Sequence, residues 1–203
     1  MSYNVLFFVN KGFSVLRKYG STLINKSILC LYGVQFGKNL ETNGLIYVRN
    51  GLGGGIFIGS NVTINSCRKI NPTGCLIKTT LFTWANARIT IGDNVGLSNT
   101  TIIASQSVTI GDNVYIGGGT QIYDTDHHSV IAQHRLNGNT HVPSAPVLIK
   151  KNCFIGADCK ILKGVIIGEG SVVGAGSVVT KGIPDGEIWA GVPARFIKKV
   201  PKE

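Results

Sequence analysis

A six-residue period constrains this chain more than any other feature. Aliphatic residues recur at every sixth position of the C-terminal half, at Ile149, Ile155, Ile161, Ile167, Val173 and Val179. A helix repeats near 3.6 residues and a half-buried strand near 2, so a period of six indicates a short strand followed by a tight corner. The Gly, Asn or Asp beside each aliphatic residue suits such a corner, because these residues tolerate the left-handed backbone region.

The same hexads occur earlier as "IGSNVT", "IGDNVG" and "IGDNVY", which begin at Ile58, Ile91 and Ile110. On these repeats the chain resembles the hexapeptide-repeat acyltransferases, over about residues 34–197. That resemblance implies an all-β fold, a left-handed parallel β-helix in which three hexads make one triangular coil. We therefore expect an N-terminal segment at 1–33, an acyltransferase domain at 34–197 and a tail at 198–203.

The N-terminal segment lacks the hexad pattern. Its apolar residues fall near helical spacing among basic ones, which predicts an amphipathic helix. The favoured role is to cap the open end of the solenoid, whose strand edges would otherwise be unpaired. The alternative role is peripheral contact with an anionic membrane surface.

The chain carries a net charge of +10, concentrated near its two ends. No aromatic-basic motif accompanies the charge, so a nucleic-acid partner is not expected. A polyphosphorylated small molecule and an anionic surface fit better. No apolar run is long enough to span a membrane, and the five cysteines show no paired spacing. The expected location is the cytoplasm, including the inner face of the membrane.

The repeat is interrupted twice, which predicts extruded loops at about residues 71–88 and 123–146. Long interruptions of a compact repeat are usually functional. All four histidines of the chain lie in the second loop.

The motif "IYDTDHHS", from Ile122 to Ser129, offers a general base between carboxylates. It resembles the "D-x-D-x-H" motif in which the hexapeptide O-acetyltransferases carry their catalytic histidine, and that alignment selects His128. Counting five residues from Ile122, as in galactoside and maltose acetyltransferases, selects His127. His128 is narrowly preferred, with Asp126 as a neighbour that can fix the tautomer.

The resemblance implies direct acetyl transfer from acetyl-CoA to a hydroxyl, with no metal and no covalent intermediate. None of the cysteines lies in the histidine loop. Matching the galactoside-type members implies coenzyme contacts from Ala157, Ala175, Thr180, Lys181, Arg195 and Lys198. The stretch "GAGSVVTK" that contains three of them is also a good corner followed by a strand, so packing alone could account for it.

The acceptor is expected to be a sugar or a surface-polysaccharide precursor. The candidate acceptor contacts are Asn71, Lys78, Trp84 and Asp124, since an aromatic face and polar side chains suit carbohydrate. Trp84 could equally be a packing residue.

Other functions also fit the repeat. A γ-type zinc carbonic anhydrase would need histidines on rigid stacked positions, whereas His134 and His141 lie in the loop. A non-catalytic scaffold would need neither the histidine loop nor the basic C-terminal end. Within the enzymes, N-acetylation of a xenobiotic or an amino sugar is an alternative. By analogy with the family, a homotrimer is expected.

Overall fold

The computed structural model describes residues 3–67 and 77–201, with side chains from Leu16 onward. Over these residues the strands form three sheets and there are two helices, α1 (Tyr3–Leu31) and α2 (Ala132–Leu136). Sheet A contains β1 (Gln35–Phe36), β4 (Gly55–Ile58), β7 (Arg88–Ile91), β10 (Ser107–Ile110), β13 (Val147–Ile149) and β16 (Ile166–Ile167). Sheet B contains β2 (Glu41–Asn43), β5 (Thr63–Asn65), β8 (Gly96–Ser98), β11 (Tyr115–Ile116), β14 (Phe154–Ile155), β17 (Val172–Val173), β19 (Glu187–Gly191) and β20 (Ala194–Lys199). Sheet C contains β3 (Tyr47–Arg49), β6 (Thr80–Thr83), β9 (Thr101–Ala104), β12 (Gln121–Tyr123), β15 (Lys160–Ile161) and β18 (Val178–Val179).

The chain visits sheets A, B and C in turn, so that three consecutive strands make one coil of a triangular prism. Coil 1 contains β1 to β3, and coil 6 contains β16 to β18. Strands of successive coils pair in parallel, and only the final β19–β20 hairpin pairs antiparallel among the described strands. The aliphatic residue of each hexad points inward: Ile89, Ile110 and Ile149 are buried. Each such side chain contributes about 1.5–3 kcal/mol of burial energy.

Asparagines turn the corner between sheets A and B. Asn39, Asn61, Asn94, Asn113 and Asn152 all have positive φ, which Asn adopts more readily than other residues with a Cβ. Their side-chain amides bond to one another from coil to coil at 2.9, 3.0, 3.1 and 3.0 Å. The same residue type therefore serves both the turn and the stacking of coils.

Helix α1 caps the first coil. The Asn25 amide nitrogen donates to Thr42 Oγ1 at 2.7 Å and to the Gly44 carbonyl at 2.9 Å, while its oxygen accepts from the Ile46 backbone N–H at 3.2 Å. Ser21 Oγ donates to the Thr42 carbonyl at 2.7 Å. These bonds satisfy polar groups of the terminal coil, which supports the capping role.

The predicted bounds of both loops and of the tail differ from the structure. Tyr123, the first residue of the second predicted loop, ends β12, and Arg88, the last residue of the first, begins β7. Strand β6 lies inside the range 71–88 assigned to the first loop, because the sequence "TLFT" forms the sheet C strand of coil 2. Strand β20 runs on to Lys199 and so enters the range 198–203 assigned to the tail, because β19 supplies it with an antiparallel partner. Neither helix of the described chain has the length and apolarity that a membrane span requires.

Candidate active site

The turns at which each coil passes from sheet C to sheet A form one edge of the prism, which we name the CA corner. From coil 1 to coil 6 this corner carries Leu52, Trp84, Ser105, the histidine loop (residues 124–146), Lys163 and Lys181. Because coils are stacked about 4.8 Å apart, residues of consecutive coils become near neighbours along this edge although they are many positions apart in the sequence.

A cleft opens on the CA corner where the histidine loop leaves coil 4. Its lining includes Trp84, Ser105, Thr125, His127, His128 and Asn139. The loop is closed at its base by an antiparallel bridge between Thr125 and Ser144, and Gln106 Nε2 donates to Ser144 Oγ at 2.7 Å. The closed base fixes the start of the loop against coil 3.

His127 is held in one conformation by its backbone and its ring. Its φ is +61°, a left-handed value that is uncommon for a residue with a Cβ. Its backbone N–H donates to Thr125 Oγ1 at 3.2 Å, and its carbonyl accepts from Asn139 Nδ2 at 2.8 Å. The imidazole packs edge-on against Tyr123, with ring centroids 5.1 Å apart. A half-buried, fixed imidazole in a cleft is the geometry that a general base requires.

His128 also lines the cleft but is more exposed than His127. Its backbone N–H donates to the Asp126 carbonyl at 2.7 Å. The motif alignment preferred His128, whereas the packing and backbone bonds favour His127.

The two loop carboxylates have other partners than a histidine ring. Asp124 is fully buried, and its two oxygens accept from the backbone N–H groups of Ser105 at 2.6 Å and Gln106 at 2.7 Å. It therefore fastens coil 4 to coil 3, and it is not among the residues that line the cleft. Asp126 Oδ1 pairs with Lys163 Nζ at 2.7 Å, so the carboxylate expected to fix the tautomer forms an ion pair with the next coil.

The expected coenzyme contacts fall in three places on one chain. Thr180 and Lys181 follow β18 on the CA corner, two coils beyond the histidine loop. Ala157 and Ala175 lie on successive coils at the corner between sheets B and C. Arg195 and Lys198 are exposed on β20 at the end of sheet B. A single chain does not gather all six residues around the cleft.

The expected acceptor contacts are also divided. Lys78 and Trp84 flank opposite ends of β6, and only Trp84 lines the cleft. Trp84 packs edge-on against Phe82 at 5.1 Å, and Arg49 lies over the Phe82 ring at 5.1 Å. Half of the Trp84 surface nevertheless stays exposed, so Trp84 packs against Phe82 and still presents surface that a ligand could contact. Asn71 lies outside the described residues.

The described residues include two buried cysteines and a pair of neighbouring loop histidines. Burial raises the pKa of the Cys153 and Cys159 thiols, which keeps both protonated and poorly nucleophilic at neutral pH. The rings of His134 and His141 lie 4.6 Å apart. Within 3–67 and 77–201, however, no three His, Cys, Asp or Glu side chains meet in a group that could hold a metal ion.

Two residues of the site were missed in the sequence. Lys163 precedes Lys181 by one 18-residue coil, so the coil period places both on the same corner. Asn139 lies in the non-repetitive loop, and no periodic signal marks it. It bonds to His127 and accepts from the Ser129 backbone N–H at 3.1 Å.

Comparison with known proteins agrees with the repeat. Residues 146–181 match a family model described as the hexapeptide repeat of succinyl-transferase. A hexapeptide-repeat-containing acetyltransferase from Vibrio cholerae O1 biovar eltor, solved with acetyl-coenzyme A, is 30% identical with a TM-score of 0.54, over 66% of this chain and 74% of that one. The chain belongs to the hexapeptide-repeat acyltransferase family. The expected left-handed parallel β-helix with an N-terminal helix is thereby confirmed.

Other hexapeptide-repeat relatives differ in the acceptor group that their names give. Galactoside O-acetyltransferase of Escherichia coli (strain K12) is 42% identical over 50% of this chain and 49% of its own length. A mutant of an N-acyltransferase from Bacillus cereus, solved with dTDP-4-amino-4,6-dideoxyglucose and coenzyme A, is 25% identical with a TM-score of 0.61, over 87% and 90% of the two chains. The chain spans about half the length of the curated relatives that it matches.

Proposed function

We propose that the protein is an acetyl-CoA-dependent O-acetyltransferase that acts on a hydroxyl of a sugar or surface-polysaccharide precursor. The observation that carries the proposal is the order of side chains along the CA corner. The imidazole of His127 has the exposed face of Trp84 on one side and, on the other, the Lys163–Asp126 ion pair followed by the exposed Lys181. An aromatic wall suits a sugar, and lysines suit phosphates.

The reaction is acyl transfer with His127 as general base. The imidazole takes the proton of the acceptor hydroxyl as the oxygen attacks the thioester carbonyl. The tetrahedral intermediate then collapses, the carbon–sulfur bond breaks, and the departing thiolate of coenzyme A takes the proton from the imidazolium. Asn139 holds the backbone of His127, Tyr123 packs against its imidazole, and the buried Asp124 holds the base of the loop.

Acetyl-CoA fits the basic half of the corner. Lys181 is exposed and able to meet a phosphate, whereas Lys163 is already paired with Asp126. Ala157 and Ala175 have side chains too small to obstruct a ligand that runs past the neighbouring corner. Because Arg195 and Lys198 lie on a different sheet, we infer that two subunits of a homotrimer contribute to one coenzyme site.

The N-terminal helix has a second face that capping does not use. At 100° per residue, Leu16, Tyr19 and Leu23 lie opposite the capping residues Ser21 and Asn25, and all three are exposed. The helix contains four basic residues and no acidic one. An apolar stripe flanked by Arg17 and Lys26 supports peripheral contact with an anionic membrane, and we propose this contact at the inner membrane face.

The two neighbouring histidines provide the test. We expect His127→Ala to lower kcat on acetyl-CoA and a sugar acceptor by roughly a hundredfold to ten-thousandfold. His128→Ala, which alters the same cleft, is the matched control and should retain most activity. Each variant is checked for an unchanged circular dichroism spectrum. Full activity in both would overturn the proposed mechanism, and loss in His128→Ala alone would move the base to His128. The same assay with amino-sugar acceptors tests N-acetylation, which the Bacillus cereus neighbour supports as a second candidate.

A further inference from the structure

A column of side chains on the outer face of sheet C leads from coil 1 to the candidate base. From coil 1 to coil 4 this sheet C column consists of Arg49, Phe82, Ile103 and Tyr123, and each is paired in register with the next. The neighbours of these residues within each strand are buried, so the four side chains point outward. At the end of the column the Tyr123 ring packs against the His127 ring, with centroids 5.1 Å apart. Register alone therefore connects Arg49 to the imidazole.

The cleft runs beside the sheet C column. Trp84, Ser105 and Thr125 line the cleft, and each follows a residue of the column by two positions. Two residues of extended chain span at most roughly 7 Å. A ligand in the cleft that is broader than one side chain therefore also lies against the column.

Arg49 ends the column with a guanidinium that is held on an aromatic ring. Its Cζ lies 5.1 Å from the centroid of the Phe82 ring, and Phe82 packs edge-on against Trp84 of the cleft. A ring over one face of a guanidinium leaves the N–H donors at its edge directed elsewhere. None of the ion pairs within residues 3–67 and 77–201 includes Arg49. Arg49 therefore presents N–H donors for an anion at a fixed place beside the aromatic wall.

The chain around Arg49 is basic and contains no carboxylate. Residues 42–92, which form most of coils 1 and 2, include five Lys and Arg and no Asp or Glu. Arg49, Lys78 and Arg88 are the three of these five that the structure describes. The acidic residue before this segment, Glu41, pairs with a lysine of α1. This end of the prism therefore attracts an anionic ligand.

The phosphates of the donor do not account for a cation at coil 1. The lysines proposed for coenzyme A lie in coils 5 and 6, on the other side of His127. Coils 1 and 6 are roughly 24 Å apart. The anion that Arg49 would meet therefore belongs to the acceptor.

We propose that the acceptor is an anionic saccharide, whose carboxylate or phosphate binds Arg49 while a hydroxyl of another sugar unit reaches His127. This inference rests on the proposed acetyl transfer and names its substrate class. The guanidinium lies over Phe82 in coil 2, and coils 2 and 4 are roughly 10 Å apart. That separation exceeds one sugar ring, so the charge and the acetylated hydroxyl lie on different units.

The experiment compares disaccharides of glucose, galactose and mannose in three forms. One form is neutral, one has a unit oxidised to a uronic acid, and one has a phosphorylated unit. We expect kcat/KM to be roughly tenfold to a hundredfold higher for an anionic form than for the neutral form, and the preferred form distinguishes carboxylate from phosphate. Arg49→Gln should remove that preference and leave transfer to the neutral form unchanged.

Arg88→Gln is the matched control. Arg88 is also exposed, and its Cζ lies 5.0 Å from the centroid of the Phe57 ring. That stack is on sheet A, whereas Trp84 packs against the sheet C stack. Arg88→Gln should therefore retain the preference, and both variants are checked for an unchanged circular dichroism spectrum.

Equal kcat/KM for neutral and anionic forms would overturn the inference and leave the proposed function standing. An equal loss of preference in Arg49→Gln and Arg88→Gln would overturn it as well, because overall charge rather than Arg49 would then select the acceptor. Weaker binding of Arg49→Gln to phosphatidylglycerol vesicles, with its acceptor preference unchanged, would assign Arg49 to a membrane surface instead. Absence of transfer to every acceptor, with acetyl-CoA hydrolysis unchanged in His127→Ala, would overturn the proposed function itself.

Discussion

Asn139 holds the histidine loop with both ends of its amide. It donates to the His127 carbonyl and accepts from the Ser129 N–H, and its own φ is +58°. An alanine there would combine lost bonds with backbone strain, whereas a glycine accepts the positive φ. Asn139→Gly therefore isolates the contribution of the side chain to the loop.

We expect Asn139→Gly to lower kcat roughly tenfold with a smaller change in KM, because the loss of two hydrogen bonds misplaces the base rather than the substrates. Steady-state kinetics measure the split between the two constants. The control is Asn137→Gly, two residues away on the exposed side of the loop. A pure rise in KM in Asn139→Gly would contradict this positioning role.

At the scale of the element, the two faces of α1 differ in their contacts. The face of Ser21 and Asn25 closes the first coil, and the face of Leu16, Tyr19 and Leu23 is left to solvent. Such a helix can cap the solenoid and lie on a lipid surface at the same time. The capping role and the membrane-contact role, which the sequence analysis gave as alternatives, are therefore compatible.

Vesicle flotation tests the outer face. The protein should bind vesicles of phosphatidylcholine with phosphatidylglycerol, and high salt should weaken the binding because the basic flanks act through screened charge. Replacement of Leu16, Tyr19 and Leu23 together by Ser should abolish it without unfolding the coil. Leu45→Ser removes an exposed leucine outside both α1 and the histidine loop and serves as the control. If the triple variant bound vesicles as well as the wild-type protein does, this face of α1 would not be the membrane-binding face.

At the scale of the whole molecule, the histidine loop buries little of its own apolar surface. Helix α2 has no buried residue, and Val130, Ile131 and Leu136 are largely exposed. Sheet B carries Tyr115 and Phe154 side by side on its outer surface, in paired register. A second subunit that covers such surfaces would also bring its own coenzyme contacts near the cleft.

Analytical ultracentrifugation should give the mass of a trimer at micromolar concentration. Val130→Asp with Leu136→Asp should shift the mass toward the monomer and reduce kcat together, since burial of a charge against an apolar partner is costly. Leu45→Asp, exposed away from the loop, should change neither. A monomeric wild-type protein with full activity would contradict the shared site.

The sequence by itself determined the coil. A hexad is a local signal: an aliphatic residue that must be buried and an Asn or Gly that can take a left-handed turn specify strand and corner within six positions. The resemblance of this repeat to the hexapeptide-repeat family then implied three hexads per coil and Lys181 as a coenzyme contact. The clustering of four histidines in one interruption of the repeat also indicated where the cleft lies.

Only the tertiary structure decided where the non-repetitive residues lie and what they contact. His127 is distinguished from His128 by contacts with Tyr123 and Asn139, and Trp84 is separated from Lys78 because β6 runs from one corner to the next. Asp124 and Asp126 are used by coils 3 and 5. These assignments depend on bonds between residues many positions apart, and a segment outside the six-residue repeat carries no local signal for them.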